Sequence, residues 1–212
     1  MTEHERDNHA LPDLLIATSN PGKRREFAYL LADVPLRLHT LAEFPQVAEV
    51  EETGATFAEN AVLKARAFCR ETGLWTLADD SGLEVAALGG APGVHSARYS
   101  GAGATDEARR QKLLVDLART GDTTRRARFV CVIALARPAE SDTQLFTGVC
   151  VGHIVHAARG EHGFGYDPLF VPDGYAETFG ELADEIKQHI SHRARALAAA
   201  KAYLLAESDR RA

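Results

Sequence analysis

The sequence predicts an α/β fold built on a mixed β-sheet, and three observations predict it. Apolar, strand-like runs alternate with segments of helical period from Leu14 onward. Residues 126–137 and 144–156 are two long β-like runs, and the turn residues 138–142 between them indicate an antiparallel hairpin, so the sheet is not all parallel. Two glycine-rich stretches, 89–103 and 160–174, read as loops.

The elements follow in order. Residues 14–18 read as a buried strand and 21–32 as a helix with Pro21 in its first turn. A short strand follows at 36–40, then an acidic, irregular stretch at 43–54. Thr56 and Glu59 have capping-box spacing, and the helix they open runs to Thr72 and stops at Gly73. Phe57, Ala61, Ala65 and Phe68 share its inner face, while Asn60 and Lys64 form a stripe at the edge of that face. Such an edge packs on the core and still offers polar groups to a cleft. A second short strand is expected at 75–78, ending in the turn-like Asp79-Asp80-Ser81-Gly82. A helix covers 105–120, and Ser191 caps a last helix reaching about Ala206. There is no internal repeat and no low-complexity linker.

The chain has 212 residues, 45% hydrophobic and 25% charged, as expected of a soluble globular protein. Residues 1–12 read as a flexible tail and 13–208 as one domain. A net charge of −6 argues against a nucleic-acid polymer as partner, because such binding needs a basic face. A small anion needs only a local positive site. Cys69, Cys131 and Cys150 have no metal-ligand spacing and suit the reduced thiols of a cytoplasmic protein. The longest apolar run, 129–136, is too short to span a membrane, and the first ten residues lack the apolar core of a secretion signal.

Five stretches could carry chemistry. Thr18, Ser19, Asn20, Pro21, Gly22 and Lys23 lead from a strand end into a helix N-terminus. Free N–H groups, the helix dipole, a glycine and a lysine converge there, as a triphosphate requires. A Walker A loop does not fit, since Ala17 stands where it needs glycine and Arg24 where it needs Ser or Thr. An ordinary βα turn with a solvated lysine also accounts for the stretch. Asp79-Asp80 could hold a magnesium ion, which takes one or two carboxylates besides phosphate and water, or accept a proton from an attacking water. The same residues also suit a plain Asp-rich turn. Glu49, Glu51 and Glu52 read as surface acids unless a metal lies beside them. Phe164-Gly165-Tyr166-Asp167 sets an aromatic on a loop, suited either to stacking on a base or to plugging a sheet edge. Ser191-His192-Arg193, with Lys187 upstream, offers donors for an anion or a purine edge, or simply caps a surface helix.

Taken together, these stretches resemble the inosine triphosphatase, or non-canonical purine nucleoside triphosphate pyrophosphatase, family. The resemblance rests on 17–23, 51–54, 57–65, 78–83, 88–93, 96–101, 163–168 and 190–193, which occur in the family's order and span nearly everything after residue 13. It implies an elongated two-lobed α/β fold, with a central mixed sheet flanked by helices and an active-site cleft between the lobes. It further implies a cytoplasmic homodimer that uses Mg²⁺ to hydrolyse dITP, ITP and XTP to the monophosphate and pyrophosphate, clearing deaminated purines.

The resemblance also assigns roles. Thr18 to Lys23 would hold the triphosphate, with Lys64 and Asn60 reaching toward it. Asp80 would bind the metal and act as proton acceptor. Glu51 would be the second metal ligand, with Glu52 the alternative. Ser81 would contact substrate. Phe164 would stack on the base, backed by Gly165, Tyr166 and Asp167. Lys187, His192 and Arg193 would read the base edge. Ser19 departs from the family's usual glycine, which matters only if that position needs positive φ. Two rivals remain: a Maf-type pyrophosphatase for modified pyrimidine nucleotides, and a nucleotide-binding module that does not hydrolyse.

Overall fold

The computed structural model describes residues 13–211; the tail expected over residues 1–12 lies outside the described residues. Eleven principal elements build one sheet and its covering helices. They are β1 (Leu14–Ile16), α1 (Pro21–Leu30), β2 (Leu38–Thr40), α2 (Phe57–Thr72), β3 (Trp75–Val85), α3 (Asp106–Thr120), β4 (Arg126–Ala136), β5 (Gln144–Ile154), β6 (Phe170–Pro172), α4 (Asp184–Ile190) and α5 (His192–Arg211).

The six strands lie in the order β2-β1-β3-β4-β5-β6. β1 is parallel to both β2 and β3, and every other pairing is antiparallel. The sheet is therefore mixed, as the hairpin required. Local chemistry explains the helix ends. Asn20 caps α1 by accepting from the Lys23 N–H, Thr56 and Glu59 form the capping box of α2, and Gly73 closes it in the left-handed conformation at φ 70°.

Strand periodicity distributes the core over both faces. Leu14, Ile16, Leu77, Ile133 and Leu135 pack with Phe27 of α1 and with Leu197, Ala200 and Leu204 of α5. Leu15, Ala78, Val130, Val132 and Ala134 face the other way, onto Phe57, Ala61, Ala65 and Phe68 of α2. Farther along the same long strands, Leu83, Val85, Phe129 and Ile154 build another cluster with Leu113 and Leu117 of α3 and with Phe170 and Phe179. β3, β4 and β5 thus run from one lobe into the other.

Three features differ from the sequence expectation. β3 does not end at Ala78: Asp79 to Gly82 continue it, paired with Ile133, Val132, Cys131 and Val130 of β4. Turn-forming composition is overridden here by pairing and by long-range partners for the two acids. The glycine-rich stretch 160–174 contains β6, whose three residues pair with Gly152 to Ile154 of β5. α4, which precedes Ser191, was not expected either.

Candidate active site

β1 is paired with β3 only as far as Ile16↔Leu77, yet β3 continues for eight more residues to Val85. A crevice therefore opens where β1 stops and the chain turns into α1, beside the middle of β3. Open α/β sheets bind ligands in crevices of this kind, outside the carboxyl ends of their strands. The crevice is part of a cavity of about 1160 Å³. Thr18, Ser19, Asn20, Pro21, Gly22 and Lys23 line it, with Glu51, Glu52 and Lys64 across from them. Asp80, Ser81, Phe164, Gly165, Tyr166, Asp167, Lys187, His192 and Arg193 complete the wall. The structure brings these residues together around one cavity, whereas Asn60, Asp79 and Ser191 do not line it.

Asp80 faces α2. One carboxylate oxygen accepts from Asn60 Nδ2 at 3.0 Å, the other from the Ser81 N–H at 2.9 Å. Lys64 Nζ lies 3.9 Å from Asp80 and 2.5 Å from Glu52. Burial raises the Asp80 pKa against the pull of Lys64, and the Glu52 charge adds to the rise. Lys64 moves the other way: burial works against its charge, but Asp79, Asp80 and Glu52 outweigh burial and raise its pKa.

The second acid near Asp80 is thus Glu52, which also meets Arg98 at 3.6 Å, whereas Glu51 is exposed on the same cavity. The oxygen-only chemistry of Asp80 with Glu51 or Glu52 suits a hard divalent cation. Magnesium needs few protein ligands when phosphate oxygens and water supply the rest. Among the described residues no group of three or more His, Cys, Asp or Glu side chains is placed to hold a metal.

Asp79, expected as a possible partner of Asp80 on a magnesium ion, faces the opposite side instead. It pairs with Lys23 at 2.9 Å and with Arg193 at 3.4 Å. Burial alone would raise its carboxyl, but Lys23, Arg193 and Lys64 hold it well below the usual carboxylate range. Arg193 is 1% exposed and donates from Nη2 to the Ser81 hydroxyl at 2.8 Å and from Nη1 to Glu26. Glu26 is an unforeseen member. It also meets Lys187 at 3.0 Å, and Arg193 and Lys187 keep its pKa low despite burial. Glu26 lies three residues after Lys23, so both project from one side of α1. That spacing was the available signal, but sequence does not reveal the partner.

Lys187 also pairs with Asp167 at 2.7 Å, and both acids raise its pKa against burial. Asp167 in turn accepts from the Phe164 N–H at 2.8 Å. His192 stacks on Phe129 with ring centroids 4.7 Å apart, and burial, then Arg193 and Lys187, keep its pKa well below 6.5. Its Nδ1 is buried without a hydrogen-bond partner among the described residues.

Two local expectations are refined. Asn20 uses its side-chain oxygen as the α1 cap, accepting from the Lys23 N–H at 3.0 Å. Gly22 has a reason besides ligand approach, because a Cβ there would stand 2.7 Å from the Phe164 ring. Among the described residues only Arg125 and Ala139 are non-glycines with positive φ, so the serine at Ser19 is unstrained.

The Ham1 family model matches residues 14–203. The dITP/XTP pyrophosphatase of Geobacillus kaustophilus is 49% identical over 187 residues, covering 88% of this chain and 91% of that protein. The dITP/XTP pyrophosphatase of Syntrophobacter fumaroxidans is 50% identical over 189 residues, covering 89% and 79%. A HAM1 protein structure from Coxiella burnetii superposes with a TM-score of 0.85 at 43% identity, covering 91% of this chain and 98% of that one.

Proposed function

The chain belongs to the Ham1 family, and we propose that it hydrolyses deaminated purine nucleoside triphosphates (dITP, ITP and XTP) to the monophosphate and pyrophosphate. One observation carries the reading to these residues. The cationic turn of Lys23, the acid Asp80 and the aromatic Phe164 line the same cavity.

On this reading Thr18 to Lys23 receive the triphosphate. At the head of α1 Pro21 has no N–H and the Lys23 N–H is held by Asn20, so the Gly22 N–H is the one offered to a phosphate oxygen, and Lys23 and Lys64 neutralise charge that spreads over those oxygens in the transition state. Asp80 takes the proton of the attacking water on a carboxylate oxygen. Magnesium, held by Asp80 with Glu51 or Glu52, would polarise the phosphoryl oxygens. Asn60 orients Asp80 through its amide. Ser81 is positioned by Arg193 to touch substrate.

Phe164 stacks on the base, with Gly165, Tyr166 and Asp167 behind it, and Lys187, His192 and Arg193 read its edge. Hypoxanthine and xanthine carry a keto oxygen at C6 where adenine has an amino group. Buried donors left unpaired by adenine can discriminate by ~10⁴-fold. Among the described residues no helix is long and apolar enough to cross a membrane. We place the protein in the cytoplasm as a homodimer, with no nucleic-acid polymer and no membrane among its partners.

The test is pyrophosphate release from dITP, ITP, XTP, dATP, dGTP, dUTP and methylated UTP, with and without Mg²⁺. Release confined to the deaminated purines is expected. Preference for the pyrimidines would indicate a Maf-type enzyme. Tight ITP binding without release would reduce the protein to a binding module.

A further inference from the structure

We propose that Asp106 and Arg110, on the first turns of α3, are positioning residues that set the aromatic wall for the base by clamping both backbone groups of Gly165. The inference rests on the reading that Phe164 receives the base.

Gly165 follows Phe164 at a left-handed φ of 61°. Its N–H donates to Asp106 Oδ2 at 2.8 Å, and its carbonyl accepts from Arg110 Nη1 at 2.9 Å. One peptide unit on each side of the glycine is thereby tied to a helix about sixty positions away in sequence. Asp106 is itself paired with Arg109, whose Nη1 donates to the carbonyls of Ala97 at 2.6 Å and Ala104 at 2.8 Å. The anchor therefore extends into the neighbouring loop. Tyr166 adds a tie to that region, its hydroxyl donating to the Ser96 carbonyl at 2.9 Å.

On the other side of the loop, the Phe164 N–H is held by Asp167, which is held by Lys187. Phe164 thus stands between two anchors. The inner one is the charged network of α1, α4 and α5. The outer one is α3, across the cavity wall to which Asp106 and Arg109 also contribute. Glycine at this position adopts the turn without strain but brings no stiffness of its own. Two hydrogen bonds to ionised side chains supply that stiffness, and such bonds are stronger than neutral ones. A ring fixed before binding loses less freedom when a base stacks on it, so the effect falls on KM.

Removing the clamp should raise KM for dITP and leave kcat within about twofold, because the triphosphate and Asp80 are untouched. A loss of ~3–10-fold in affinity is expected for each of Asp106→Ala and Arg110→Ala, the scale of one or two hydrogen bonds. Asp106→Asn keeps an oxygen to accept the Gly165 N–H and should recover part of the loss. Glu107→Ala alters the same first helical turn without touching the loop and should leave KM unchanged.

The deciding experiment combines these variants with Phe164→Ala, reading KM, kcat and Tm together. Phe164→Ala should raise KM ~10-fold, and adding Asp106→Ala to it should cost nothing further. An unchanged KM in Phe164→Ala would overturn the base-stacking reading itself. A raised KM there, with wild-type KM in Asp106→Ala and Arg110→Ala, would overturn the clamp alone. Fully additive losses in the double variant, or a KM effect in Glu107→Ala equal to that of Asp106→Ala, would likewise reduce Asp106 to an ordinary helix-terminal acid.

Discussion

Asp79 and Asp80, adjacent on β3, face opposite sides of the sheet and serve different partners. Asp79 is enclosed by Lys23 and Arg193 on the side of α1 and α5, while Asp80 meets Asn60 and Lys64 of α2 on the other. The period of a strand separates them, and the early end of β1 opens the crevice beside both. The pair therefore splits one task from another: Asp79 holds cations in place, and Asp80 meets the cavity.

Asp80→Asn should lower kcat by ~10³-fold or more, since it removes both a proton acceptor and a metal ligand. Asparagine keeps one oxygen to accept from either Asn60 or the Ser81 N–H, so the stability loss should be on the scale of one hydrogen bond and the protein should stay folded. Pyrophosphate release from dITP and a thermal melt decide the matter. Near-normal turnover would remove Asp80 from the chemistry.

Asp79→Ala should behave differently. It leaves the buried cations Lys23 and Arg193 facing each other without their shared acid. Breaking a buried pair on one side costs about 3–5 kcal/mol, so this variant should lose stability as well as activity. A denaturant midpoint equal to that of the wild type would contradict the hub role. Lys23→Ala should instead raise KM ~10–100-fold through the lost phosphate contact.

Chelation with EDTA should abolish pyrophosphate release, and added Mg²⁺ should restore it. Calcium prefers a larger, more flexible oxygen shell and should support turnover poorly. Full activity after exhaustive chelation would exclude the metal from the proposed reaction.

Stability should fall as pH drops from about 7 to 5, and His192 supplies one cause. Burial, then Arg193 and Lys187, depress its pKa well below 6.5, so the folded protein keeps it neutral. Below 6.5 the unfolded chain binds a proton there that the folded chain refuses. Unfolding then takes up protons, and stability rises with pH through this window, by at most ~1.4 kcal/mol per unit for one group. Asp80, raised by burial, titrates in the opposite sense. Comparing wild type with His192→Gln cancels that contribution. The variant should show a shallower slope in urea melts between pH 5 and 7; identical slopes would refute the assignment.

The legible parts of the fold were those specified locally. The helix Phe57–Thr72 has its capping box and its closing glycine within the chain that forms it. The Arg126–Ala136 and Gln144–Ile154 hairpin is a contact between neighbours in sequence. β3 was cut short because Asp-Asp-Ser-Gly is turn chemistry until distant cations neutralise it. β6 and α4 hid in glycine-rich and polar stretches, three and seven residues long. The site was legible as a set of motifs, whereas the ion pairs of Asp79 and the part of Glu26 were not, because which acid holds which lysine or arginine is decided by packing between remote elements.

Gly22→Ala separates ligand approach from wall geometry. Gly22 is buried at the second position of α1, where alanine is the better helix former by ~0.5–1 kcal/mol. Its new Cβ, however, would stand 2.7 Å from Phe164 Cδ1 and 3.2 Å from Asn20 Oδ1. The aromatic ring can turn away into the cavity, whereas the Asn20 cap has only tenths of an ångström to give. The strain should roughly cancel the gain in propensity, so Tm stays within a few degrees of wild type. The cost appears in binding, because the displaced ring no longer presents its face to the base: KM for dITP should rise ~10-fold with kcat little altered. Phe164→Leu in the Gly22→Ala background relieves the clash without restoring the ring, so KM should stay raised. A Gly22→Ala protein with wild-type KM would show that the ring and the glycine are in contact without the contact setting the base wall.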